Sequence, residues 1–129
     1  MRKIESAMIA AIISGRAFKS DNTEVTARYK HPSGTYRSEV KLHGHVIAEL
    51  EFDTSIHDRF PIRTIIGLCG WNTATTRSRL NRIIDLIPGE FGIDSKSGIA
   101  YLSTPYQRIA MFSDDRYLIN PDCTVSHVA

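Results

Sequence analysis

A chain of 129 residues has the length of one domain and can bury a core without disulfide or metal staples. Sixteen basic and fourteen acidic residues leave a formal net charge of +2, which excludes an argument for polyanion binding, or for mimicry of DNA, from composition alone. Eleven of the basic residues are Arg and five are Lys, an excess that favours planar, bidentate contacts with anions. The two cysteines, Cys69 and Cys123, form neither a disulfide framework nor a metal pattern, and reduced thiols in a cytoplasmic protein are expected.

The start of the chain only imitates a signal peptide. Its apolar run from Ala7 to Ile13 is short, Glu5 interrupts the approach, and no small-residue cleavage site follows. It reads as a short helix with Ile4, Met8 and Ile12 on one side, Ile9 and Ile13 beside them, and Gly15 as terminator. No segment approaches the apolar length of a membrane span. Arg16 to Asn22 reads as a polar connector. From Thr23 the period becomes two: Val25, Ala27 and Tyr29 alternate with Glu24, Thr26 and Arg28 in a half-buried strand.

His31-Pro-Ser-Gly34 is a turn, and Tyr36, Ser38, Val40 and Leu42 then mark the inward side of a second strand. His43-Gly44 supplies a tight hairpin. A third strand comes next, with Val46, Ala48, Leu50 and Phe52 facing in and Ile47, Glu49 and Glu51 facing out. After a mixed-charge loop from Asp53 to Pro61, the apolar run Ile62 to Leu68 has the character of a covered strand. Beyond Pro88, glycines at 89, 92 and 98 punctuate a return to β-structure. Ile99–Ser103 and Gln107–Phe112 read as a hairpin, Tyr117–Ile119 as an edge, and the tail from about residue 120 as loosely held.

The stretch from Trp71 to Ile87 organises the rest. Thr73, Thr75 and Thr76 are N-cap candidates, Leu80, Ile83, Ile84 and Ile87 form one helical face, and Pro88-Gly89 stops the helix, giving a span of about 75–87. On the wheel Ser78, Asn81, Arg82 and Asp85 point away from the apolar stripe, while Arg77 and Arg79 flank it. A helix N-terminus prefers acids, by roughly 0.3–1 kcal/mol per charge. This one carries Arg77, Arg79 and Arg82 and no acid before Asp85. Such an end suits a phosphate or carboxylate partner, although a solvated arginine face accounts for the same residues. Trp71 reads more readily as a plug of the helix onto the sheet than as a contact. The expected fold is therefore a single α+β domain: a mainly antiparallel sheet of five to seven strands, with an N-terminal helix and the arginine helix packed on one face.

Four pieces of the chain carry a resemblance. They are the opening Arg-Lys-Ile-Glu with its helix, Asn22-Thr23, Leu42-His43-Gly44 with Ile47-Ala48, and Gly70-Trp71-x-Thr73-x-Thr75-Thr76-x-Ser78-Arg79-Leu80-Asn81. Together, over roughly residues 1 to 87, they resemble a group of small tailed-bacteriophage proteins, from which the loops around 53–62 and 88–98 depart. The resemblance implies a phage origin and a host-cytoplasm setting, and it implies no chemistry.

Chemistry must therefore come from the residues. His43 and His45 have the spacing of an H-x-H metal pair, with His57-Asp58 as possible company, but a turn at His43-Gly44 would keep the two imidazoles off one strand face. Cys69 lies in an apolar run, the pairs Glu49/Glu51 and Asp114-Asp115 fall on exposed or turn positions, and no nucleotide or hydrolase fingerprint is present. No cofactor is expected, and binding is favoured over catalysis. The first reading is a phage accessory protein, of a host-takeover or anti-defence type, that binds a host or phage protein through Trp71, Thr75, Arg77, Arg79, Asn81 and Arg82. The alternative is nucleic-acid binding through the same arginines, with Tyr36, Tyr101 or Tyr106 to stack on bases. A metal-dependent enzyme using His43 and His45 stands third, and an exposed edge strand leaves a homodimer open.

Overall fold

Alternating apolar and polar residues between 23 and 53 produce one antiparallel meander, and the rest of the large sheet grows from its two outer strands. The computed structural model describes residues 3–30, 34–53, 60–112 and 114–128, the side chains of Tyr29 and Lys30 excepted. The expected turn at His31–Gly34, the inward placing of Tyr29 and most of the 53–61 loop, His57-Asp58 included, lie outside the described residues. In order the elements are α1 (Lys3–Ser14), β1 (Phe18–Ser20), β2 (Thr23–Lys30), β3 (Thr35–Leu42), β4 (His45–Asp53) and β5 (Arg63–Gly67). Then come α2 (Ala74–Ile84), β6 (Gly92–Lys96), β7 (Ile99–Ser103), β8 (Arg108–Met111), β9 (Arg116–Ile119) and β10 (Val125–Val128). Seven strands form one antiparallel sheet in the order β1-β2-β3-β4-β5-β9-β10, and β6-β7-β8 form a small second sheet. The fold is α+β, as the periodicities indicate, with α2 and the small sheet as an excursion between neighbouring strands β5 and β9.

Local chemistry sets the register. His43 and Gly44 both have positive φ, 52° and 80°, and Leu42 pairs with His45 across this two-residue turn. That geometry matches the right-handed twist of the flanking strands. Just beyond the turn, the expected alternation slips. Val40 pairs with Ala48 but Lys41 with Val46, so Ile47 is the extra residue of a bulge. A bulge shifts side-chain phase by one. Ile47 is accordingly buried in the core, and Val46, expected inside, moves out of phase with Ala48.

Three further segments differ from expectation. The connector contains β1, which pairs with β2. The edge assigned to Tyr117–Ile119 is interior, because β9 pairs with β5 on one side and β10 on the other. The tail is held rather than loose: Asp122 accepts from the Thr124 backbone N–H at 3.0 Å and from its hydroxyl at 2.6 Å, turning the chain into β10. These hydrogen bonds hold the Asp122 carboxyl below its ordinary value. α2 also ends at Ile84. The N–H groups of Leu86 and Ile87 bond back to Ile83 and Ile84, each at 3.0 Å, tightening the chain ahead of Pro88.

Both helices pack on one face of the large sheet. Met8, Ala11 and Ile12 of α1 and Leu80, Ile83 and Ile84 of α2 join Val25, Val40, Leu50, Phe52 and Ile66 in the core. Ser38 donates to the Ile12 carbonyl at 3.1 Å and Tyr36 donates to that of Ile13, satisfying carbonyls at the end of α1. Tyr36, a stacking candidate in the sequence, is thereby a core residue, stacked on Phe52 at 5.0 Å between ring centroids.

The helices meet over an ion pair. Arg79 Nη1 lies 2.7 Å from Glu5 Oε2, the Ser78 hydroxyl donates to the same oxygen at 2.6 Å, and Arg79 Nε donates to Thr23 Oγ1 at 3.2 Å. Glu5 is 3% exposed, Arg79 4% and Thr23 1%, so α1, α2 and β2 are tied together in the interior. The outward placing expected of Arg79 is corrected: flanking the Leu80–Ile83 stripe on this side means facing α1. Breaking one half of a buried pair costs about 3–5 kcal/mol, because the other charge stays buried. Arg79→Ala should therefore lower unfolding free energy by about that amount in urea denaturation. Arg108→Ala, removing an exposed bridge to Asp94, should cost under about 1 kcal/mol.

Candidate binding surface

The turn leaving β5 determines what α2 presents to solvent. Cys69 and Gly70 have φ of 51° and 82°, and the Trp71 N–H closes the turn on the Leu68 carbonyl at 3.0 Å. The Cys69 thiol donates to the Val46 carbonyl, fastening this turn to the start of β4. Burial raises the Cys69 thiol above its ordinary value, outweighing the nearby Arg116, so it stays protonated and a poor nucleophile at neutral pH. Thr73 then caps α2, its hydroxyl accepting from the Thr76 N–H at 3.1 Å, while Thr75 stands half-buried in the first turn.

Trp71 is not a plug. It is 48% exposed, and the β3–β4 hairpin brings two imidazoles to it, His43 at 5.9 Å and His45 at 6.5 Å between ring centroids. The histidines therefore converge on an indole. Asn22 Nδ2 sits 3.3 Å from His43 Nε2 and gives that ring a second contact. Among the described residues no three His, Cys, Asp or Glu side chains gather as a metal site would require.

Beside this cluster, Arg77 reaches the Asn72 carbonyl at 3.3 Å and its side-chain oxygen, and Asn72 donates to the Gly98 carbonyl at 3.1 Å. All of these acceptors are neutral. Arg77 has no acid at ion-pair distance among the described residues, so its charge adds to the positive end of α2. The other predicted residues separate from it. Arg82 bridges to Asp85 at 3.2 Å on the next turn of the helix. Asn81 is turned inward: its amide donates to the Ile93 carbonyl and accepts from the Ile93 N–H, both at 2.8 Å, clasping β6 onto α2 as a strand neighbour would. The site thus retains Trp71 and Arg77, gains His43 and His45 as their neighbours, and loses Arg79 to the interior and Asn81 to its contact with β6.

Glu5 is the residue that sequence reasoning passes over. The signal is present, since Glu5, Met8 and Ile12 follow the spacing of one helical face, which puts a carboxylate on the apolar stripe.

Comparison with known proteins matches residues 1–118 to the Kyanoviridae Gp96 protein family. The chain belongs to that family. It is a phage protein, in keeping with the resemblance in its N-terminal two thirds. No curated protein and no solved structure matches it. The matched span runs from α1 into β9 and contains the whole Trp71 surface, while β10 lies beyond it. No described helix is long and apolar enough to cross a membrane.

Because Trp71 is the only tryptophan, its emission reports this surface alone. Acrylamide should quench the folded protein with a constant near that of a half-exposed indole, and its emission should lie to the red of a buried one. Protected, blue-shifted emission would contradict the geometry.

Proposed function

We propose that this phage protein acts by binding a host or phage protein, as an accessory factor of the host-takeover or anti-defence kind working in the host cytoplasm. The observation that supports this most is the exposed Trp71 set against His43 and His45 beside the acid-free Arg77. Tryptophan and arginine dominate the energetics of protein interfaces, because a rigid ring and a planar cation lose little entropy when buried. A ring held in place by neighbouring side chains is already ordered for contact. A Cys69 thiol that burial holds protonated is a poor nucleophile, which supports a reading by binding.

Nucleic-acid binding by α2 loses support. Arg79 is inside, Asn81 holds β6, Tyr36 is in the core, and Arg82 shares its charge with Asp85. One arginine without an acid makes a weak phosphate track.

Tagged protein expressed during infection should recover a stoichiometric partner, and the purified pair should give a measurable Kd. Trp71→Ala with Arg77→Ala should weaken that Kd by roughly thirtyfold or more, the scale of interface hot spots, with the variant still folded. A partner bound equally well by the double variant would overturn the assigned surface. Recovery of nothing but nucleic acid would overturn the reading itself.

A further inference from the structure

The sheet face opposite the helices carries a second arrangement, remote from the Trp71 turn in register. Cross-strand pairing runs Arg28 to Arg37, Arg37 to Glu51 and Glu51 to Arg63, in one row over β2, β3, β4 and β5. The adjacent row sets Glu39 opposite Glu49 and Glu49 opposite Ile65. Arg116 on β9 reaches across to Glu49 at 2.9 Å. Together Arg37, Glu49, Glu51, Arg63, Ile65 and Arg116 line a depression of about 330 Å³.

The charges in it are unevenly matched. Glu49 is neutralised by Arg116, which leaves one carboxylate, Glu51, between two guanidiniums. Neither Arg37 nor Arg63 makes an ion pair with Glu51 or with any other described residue. Arg28 directly opposite Arg37 adds a like-charge cross-strand pair, an arrangement that destabilises a sheet on its own. An anion placed between Arg37 and Arg63 would relieve that repulsion and find two planar forks free to grip it.

We propose that this depression binds a compact phosphate-bearing anion of about nucleotide size, held by Arg37 and Arg63 with Arg116 at its third side. Its volume falls at the small end of the range of roughly 300–1,000 Å³ for small-molecule sites, large enough for one such ligand. Compactness follows from the acids. Glu24, Glu39, Glu49 and Glu51 share this face, so a nucleic-acid backbone crossing the strands would meet several carboxylates among the arginines. A single phosphate group gripped by Arg37 and Arg63 has one unneutralised carboxylate, Glu51, beside it. Glu51, with no ion-pair partner among the described residues, is placed to accept from a hydroxyl of the same ligand, and Ile65, 7% exposed, gives the floor an apolar patch.

Calorimetric titration at low salt with inorganic pyrophosphate, adenosine diphosphate and a single-stranded oligonucleotide tests this. Saturable one-to-one binding of pyrophosphate or the diphosphate is expected, weakened by roughly tenfold or more in Arg37→Gln and in Arg63→Gln as a charge-assisted contact is lost. Arg108→Gln, on the small sheet, should leave it unchanged. Tighter binding of the diphosphate than of pyrophosphate would extend the site to the nucleoside, and equal binding would confine it to the phosphates. No saturable binding of either probe, or binding indifferent to both substitutions, would overturn the proposal. So would an oligonucleotide that binds more tightly than the diphosphate with a steep salt dependence, since that assigns the face to a nucleic-acid track. Trp71→Ala should not alter any of these titrations, which separates this site from the protein-binding surface.

Discussion

The buried contact between Glu5 and Arg79 is the constraint on which the helical layer depends. Leucine and isoleucine side chains alone would let α1 and α2 settle on the sheet in several neighbouring positions, because apolar packing is not directional. A carboxylate and a guanidinium that must meet in the interior remove that freedom. Any arrangement in which they miss leaves at least one charge buried without a partner, at a cost of several kcal/mol. Ser78 and Thr23 complete the contact by hydrogen bonds, so the lock reaches from α1 through α2 to β2.

This lock also sorts the arginines of α2, which look equivalent in the sequence. Arg79 is turned inward by Glu5, Arg82 is drawn to Asp85, and Arg77 is left at the helix start with neutral acceptors. The absence of acids from the first turn of α2 is therefore not a general deficit of negative charge. The missing acid stands on another helix, seventy-four residues away in the chain. Fixing α2 fixes the turn before it, and the Cys69 and Gly70 backbone then holds Trp71 against the β3–β4 hairpin.

Much of this is legible in residue order. The alternation along β3, the His43-Gly44 turn, the apolar run of β5 and the i, i+3, i+4 pattern of α2 are local signals, and the local structure obeys them. The features that escape are set by pairing over distance. Ile47 enters the core because of a bulge that no periodicity announces. β10 is four residues, Val-Ser-His-Val, and becomes a strand only because β9 offers an open edge. Trp71 looks like core because large rings usually are, yet a turn with two positive φ angles carries it to the surface. Asn81, polar and on the outer face of its helix, meets β6, whose position depends on the excursion after α2. The arginines of the open sheet face have no motif at all, since Arg37, Arg63 and Arg116 come together only through strand order.

A double-mutant cycle on Glu5→Ala and Arg79→Ala, read by chemical denaturation, measures whether the two side chains act on one another. A coupling free energy of about 2 kcal/mol or more is expected, within the range of roughly 0.5–3 kcal/mol seen for residues in direct contact. Additive losses, with coupling near zero, would mean that the two groups do not meet inside the protein and that the arrangement of α1 over α2 has another origin.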